Sequence, residues 1–154
     1  MPASPITDLA RCAVHTFTLK PWTLEQTCQA LAGAGIPGVT VWRQHLEPYG
    51  PAKAAQIIRA AGLQVPALCR GGFFPANDAE ARQKAIDDNK KAIDEAAAIG
   101  AGMVVLVCGA VPGMPLETAR AQISDGIAAC LPHAEACGVK LAIEPLHPMY
   151  AGDR

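Results

Sequence analysis

The sequence predicts an α/β fold in which parallel strands alternate with helices. Two observations carry that expectation: a phrase that recurs along the chain, and strand segments that are apolar throughout rather than alternating. In the phrase, an Ala-rich helical stretch ends at Gly and a short β-branched run follows, as in LAGAGIPGVTVW, IRAAGLQVPALC, AAAIGAGMVVLVCG and AEACGVKLAIEP. Glycine just past a helix takes the left-handed turn without a Cβ clash. Continuous apolar strands suit a parallel sheet covered on both faces. With 154 residues, 51% hydrophobic and 18% charged, the chain suffices for one globular domain with a core.

Following this period, strands are expected near residues 12 to 18, 38 to 43, 64 to 69, 103 to 108 and 139 to 144, with helices between them. The first helix is expected to open at Thr23 with Gln26 three residues on, and the third at Asn77 with Glu80 three residues on, both capping-box spacings. On the third helix Ile86, Ile93 and Ala97 form the apolar stripe against Lys84, Asp87, Asp88, Lys91 and Asp94. The fourth carries Ala119, Ile123, Ile127 and Leu131 at steps of four, and Pro132 predicts a kink or a break there.

About five strands and four helices fit two architectures. One is an open, doubly wound, flavodoxin-like sheet, complete at this length. The other is a parallel (β/α)8 TIM-type barrel, which takes about 250 residues and would be only partly present in 154. An open nucleotide-binding sheet calls for a glycine-rich turn after its first strand, yet that turn reads VHTFTLKPWT. Its lack of glycine counts against the open sheet.

Charge and composition exclude several classes of function. Net charge is -1 and the Lys and Arg residues are scattered, so no basic stripe for nucleic acid exists. The N-terminal MPASPITDLARC has no charged head before an apolar core, and apolar runs such as Met103 to Val107 are too short for a bilayer. A cytoplasmic protein with no membrane partner is expected. The six cysteines, Cys12, Cys28, Cys69, Cys108, Cys130 and Cys137, stand singly with no C-x-x-C pair, and are expected to be buried, reduced thiols.

In either architecture functional groups gather at the carboxyl ends of the strands. Those positions run from His15 to Thr18, Trp42 to His45, Cys69 to Phe74, Cys108 to Val111 and Glu144 to His147. His15, Trp42, Arg43, Arg70 and His147 are the substrate-binding candidates. Trp42 and Arg43 offer a sugar an apolar face and a polar contact, or Trp42 belongs to the core. Arg70 meets a substrate phosphate or carboxylate through its planar fork, or faces solvent from a loop. Gly71 and Gly72 in CRGGFFP read as a turn rather than a phosphate cradle. Glu144 ends the apolar strand VKLAI directly before Pro145. A carboxylate there needs a partner such as a hard divalent cation, or it is an exposed strand-end group.

The phrases LAIEPLHPMYAGDR, VTVWR and LCRGGFF resemble the xylose isomerase-like barrel family, which groups sugar (phosphate) isomerases and epimerases, ketose 3-epimerases, hydroxypyruvate-type isomerases and abasic-site endonucleases. The resemblance implies that residues 1–154 are the N-terminal part of a single (β/α)8 domain. It implies metal-assisted proton transfer next to a carbonyl, with Glu144 both a ligand of a divalent ion, Mn2+ or Mg2+, and one of two acid/base carboxylates. The remaining ligands, an aspartate, a histidine and a second glutamate, would come from strands six to eight. His147 stands where ketose epimerases often carry a substrate-contacting asparagine.

Three expectations follow from the resemblance. The first is an isomerase or epimerase of carbohydrate metabolism acting on a small-molecule sugar or hydroxy-keto acid, incomplete and inactive as this chain alone. The second is a non-catalytic partial barrel that associates through its open edges, as a homo-oligomer or with another chain. The third, an abasic-site endonuclease relative, is disfavoured because only His15, His45, His133 and His147 are available for a metal cluster, and His133 falls in a helix.

Overall fold

A computed structural model describes residues 8–146 of the chain. Five strands, β1 (Ala13–His15), β2 (Gly38–Trp42), β3 (Leu68–Gly72), β4 (Met103–Val107) and β5 (Lys140–Ile143), alternate with four helices, α1 (Leu24–Gly33), α2 (Pro51–Ala60), α3 (Ala79–Ile99) and α4 (Leu116–Ala136). The strands pair in parallel and in chain order, β1-β2-β3-β4-β5. A doubly wound sheet reverses its order at a switch point; this one does not. Right-handed crossovers that always step the same way place every helix on the same face, which is how a (β/α) barrel is assembled. The fold is thus part of a TIM-type barrel, and the open-sheet alternative falls. Among the described residues β5 and β1 do not pair.

Local chemistry explains where the elements begin. The Thr23 hydroxyl accepts the Gln26 N–H at 3.2 Å and the Gln26 side chain accepts the Thr23 N–H at 2.9 Å, closing the expected capping box. The third helix starts one residue later than expected. The Asp78 carboxylate, rather than Asn77, caps it by accepting the Ala81 N–H at 2.7 Å. β1 is shorter than expected, because Thr16–Leu19 wind into a 3-10 turn.

β3 lies later than the expected 64 to 69. Gln64 touches the sheet through one isolated bridge to Gly38, but Pro66 brings no N–H to a ladder. Regular pairing resumes at Leu68 and runs through the glycine pair, past an irregularity between Cys69 and Gly71.

The buried faces of the long helices also depart from expectation. On α3 the stripe is Asn89, Ala92, Ile93, Ala96 and Ile99, while Ala97 is exposed. On α4 it is Ala119, Ile123, Gly126, Cys130 and Ala134. A strict step of four advances about 40° beyond a full turn, so the row from Ala119 winds off the sheet and leaves Leu131 43% exposed. α4 is not broken at Pro132. Four cysteines are buried as expected, but Cys12 is exposed and Cys137 half-exposed; all six are free thiols.

Val39 and Val41 of β2, Leu68 of β3 and Val104 and Leu106 of β4 pack with Leu24, Ile58 and Ile93 of the helices, all essentially inaccessible. One polar side chain shares this layer. Asn89 is 2% exposed, its carbonyl accepts the Gly72 N–H at 2.6 Å, and its amide donates to the Gly72 and Ala85 carbonyls at 2.8 Å each. Phe74 follows and fills the space above Gly126, where any Cβ would collide with its ring. The Asn89→Ala substitution strands the buried Gly72 amide, so it should cost about 2–3 kcal/mol. An unchanged midpoint in urea unfolding would remove Asn89 from this role.

Candidate functional site at the carboxyl rim

The strand ends converge on an open cavity of about 600 Å³ whose walls include His15, Trp42, Cys69, Arg70, Phe73 and Glu144. Each strand contributes for a local reason. After β1 the chain turns inward and buries Thr16, whose hydroxyl accepts the Trp42 backbone N–H at 3.0 Å and lies 3.2 Å from the His45 Nδ1. That bond fixes the end of β2. The Trp42 indole N–H donates to His15 Nδ1 at 3.0 Å, which leaves the ring proton of a neutral His15 on Nε2.

Trp42 is half-buried and belongs to the rim rather than to the core. Its ring stacks on Phe17 at 4.2 Å between centroids and 17° between planes. The Arg70 guanidinium stands 4.5 Å from the Phe73 ring and 5.9 Å from the Trp42 ring. Phe73 has a positive φ of 54° and is 47% exposed. Arg70 is therefore held by aromatic faces, and among the described residues no carboxylate pairs with it.

Glu144 continues the β5 ladder, its N–H donating to the Leu106 carbonyl at 3.0 Å. Its side chain is open to the cavity. Burial first, and the Glu144 charge second, push the Cys69 thiol up to about 11. Burial thus favours the protonated thiol in this wall of the cavity.

Four sequence-predicted residues are thus brought together: His15, Trp42, Arg70 and Glu144. Arg43 is not. Its guanidinium turns outward to α3, with 2.7 Å bonds to Asp88 and Glu95, because two carboxylates on that helix offer the fork a better-matched partner than open solvent. His147 lies outside the described residues. Sequence reasoning counted Phe73 among the strand-end positions without singling it out as a wall of the cavity. The signal for Phe73 was present in LCRGGFF, where one Phe of the pair is needed for the core and the other is left to the rim.

At this rim Glu144 is the sole carboxylate among the described residues, and a hard divalent ion takes six or more oxygen ligands. The described residues do not complete a metal site there. The one group of three potential ligands among the described residues, Asp94, His133 and Cys137, lies elsewhere, between α3 and α4. No helix among the described residues is long and apolar enough to cross a membrane.

Residues 28–153 match the model for the xylose isomerase-like TIM barrel. The chain belongs to that family. Among solved structures it is similar to protein SMc04130 from Sinorhizobium meliloti 1021, with 46% identity over 96% of this chain and 55% of that one, at a TM-score of 0.88. It shares its fold with D-allulose 3-epimerase from Methylomonas sp., at 17% identity and a TM-score of 0.73 over 92% of this chain and 53% of that one. The same holds for 3-keto-D-glucoside 4-epimerase from E. coli, at 18% identity and a TM-score of 0.72 over 85% and 54%. The chain spans about half the length of these structures. No curated protein matches it.

The Arg43 cluster makes a pH-dependent contribution to stability. The hydrogen bond from Arg43 holds Asp88 below the ordinary carboxylate range. A lowered folded-state value means that the stabilisation is complete above the unfolded value of about 3.9 and is lost as pH falls through the folded one. Arg43→Leu should cost about 1.5–3 kcal/mol near neutral pH, mostly through Glu95, since Asp88 is largely exposed. The part of the difference in melting temperature that Asp88 carries should be lost only below about pH 4. A gap that stays constant to pH 2 would contradict the pairing.

Proposed function

We propose that the protein is a sugar isomerase or epimerase, or one acting on a hydroxy-keto acid, and that it moves a proton on the carbon beside a carbonyl. The observation that carries this reading is the placement of Glu144 at the end of β5, in the same cavity as Arg70, Trp42 and His15. The known functions of the epimerase neighbours agree with it, and membership of the family supports the class of chemistry.

In the proposed reaction the Glu144 carboxylate takes the proton from the carbon, and the C–H electron pair moves into the carbon–carbon bond of an enediolate. Return of a proton to the opposite face, from a second acid outside the described residues, gives the epimer; return of the proton held by Glu144 to the neighbouring carbon gives the isomer. The Trp42 ring, backed by Phe17, offers the apolar face of a sugar a flat surface in the cavity, while Arg70 meets a hydroxyl cluster, carboxylate or phosphate. His15, with its proton on Nε2, supplies a donor near the Trp42 edge.

A divalent ion, Mn2+ or Mg2+, enters this reading through the family resemblance. Glu144 would give it one oxygen ligand, with the rest supplied from outside the described residues.

Turnover of a ketose in deuterated water should place deuterium at the carbon beside the carbonyl. Glu144→Gln keeps the shape of the side chain but removes the base, so it should lower that exchange by about 10²–10⁴-fold. Unchanged exchange in the variant would take Glu144 out of the reaction, and product formed without any solvent deuterium would replace proton transfer by a hydride shift.

A further inference from the structure

On the outer face of the sheet, remote in role from the rim cavity, three side chains of different chemistry meet between α3 and α4. His133 Nε2 lies 2.7 Å from Asp94 Oδ1, Cys137 Sγ lies 3.8 Å from the same oxygen, and Cys137 Sγ lies 3.9 Å from His133 Nε2. His133 and Cys137 are one turn apart at the end of α4, so both point to one side, and Asp94 reaches them from the third helix. We propose that these residues form a binding site for a zinc-like divalent cation, with thiolate, imidazole and carboxylate ligands and water in the fourth position.

The geometry fits that chemistry. Tetrahedral zinc with ordinary bond lengths holds its ligand atoms roughly 3.4–3.6 Å apart. The two sulfur distances exceed this span by only a few tenths of an ångström, and the His133–Asp94 pair needs to open by less than an ångström as its hydrogen bond is exchanged for metal bonds. Sulfur and imidazole select a borderline-soft ion over magnesium or calcium. The site is accessible, since Asp94 is exposed and His133 and Cys137 are half-exposed, which leaves room for the water ligand. The carbonyl end of α4 adds a partial negative charge beside the cation. Cys137 closes that helix, its own N–H donating to the His133 carbonyl at 3.0 Å. A bound ion would therefore tie the last turn of α4 to α3, which Cys130 of α4 already meets with its sulfur 3.8 Å from the Ile86 carbonyl.

Cobalt serves as the probe, because a cobalt–thiolate bond gives a near-ultraviolet charge-transfer band that oxygen and nitrogen ligands do not. Titration of the full chain with Co2+ should raise this band to saturation at one ion per chain, and added Zn2+ should abolish it. Cys137→Ser should eliminate the band, and His133→Ala or Asp94→Ala should each weaken cobalt binding at least about tenfold. Cys12→Ser and Glu144→Gln, which alter the other exposed thiol and the rim carboxylate, should leave it intact. Circular dichroism of each variant separates loss of the site from loss of the fold, and Asp94→Asn provides a milder change should Asp94→Ala unfold. The proposal is overturned if the wild-type chain gives no thiolate band, if the band survives in folded Cys137→Ser, or if it is lost in folded Cys12→Ser.

Discussion

The exchange of hydrogen bonds between Asn89 and both backbone groups of Gly72 is the constraint on which the rim depends. β3 is the central strand of five, and its last residue has a neighbour on each side whose position matters. Two residues before Gly72 stands Arg70, and just after it come Phe73, facing the cavity, and Phe74, facing α4. A Cβ at Gly71 would run into the Asn89 carbonyl, and one at Gly72 into the Val107 backbone. The glycine pair is therefore a packing requirement set by α3 and β4, and the cavity inherits its shape from it.

The rim itself combines rigid and open parts. Trp42 is fixed at its backbone by Thr16 and at its indole by His15, so the aromatic surface is preorganised before any ligand arrives. Arg70 is steadied by ring faces that leave its donors unspent. Glu144 has the opposite character, since its backbone is locked in the ladder while its carboxylate stays open to the cavity.

Much of this was legible in the sequence, and what was not has particular causes. The repeated helix–Gly–strand phrase is a local signal, so the five strands and four helices follow from it. The choice between open sheet and barrel rests on strand order, a non-local property that periodicity does not encode. The β3 shift came from Pro66, whose missing N–H was visible but was outweighed by the apolar run around it. Glu144 stood out because it closes an apolar strand directly before Pro145, and it lies exposed at the end of the β5 ladder. The ion pairs of Arg43 were not legible, because its partners, Asp88 and Glu95, are far along the chain and only the fold brings them to it. Asn89 occupies an inward position between Ile86 and Ile93, and a polar residue there carried a signal that the apolar stripe obscured.

The proposed function rests on binding of the substrate in the cavity at the carboxyl rim. It is tested most directly by nuclear magnetic resonance shift mapping while a panel of ketoses and hydroxy-keto acids is titrated into the protein. The Trp42 indole N–H, bonded to His15, is a probe inside the cavity, and the exposed Trp22 indole is an internal control. Saturable shifts are expected at the Trp42 indole, Arg70, Gly109 and Glu144 for at least one member, with Trp22 unmoved. Shifts confined to the outer helical face, or none across the whole panel, would contradict it.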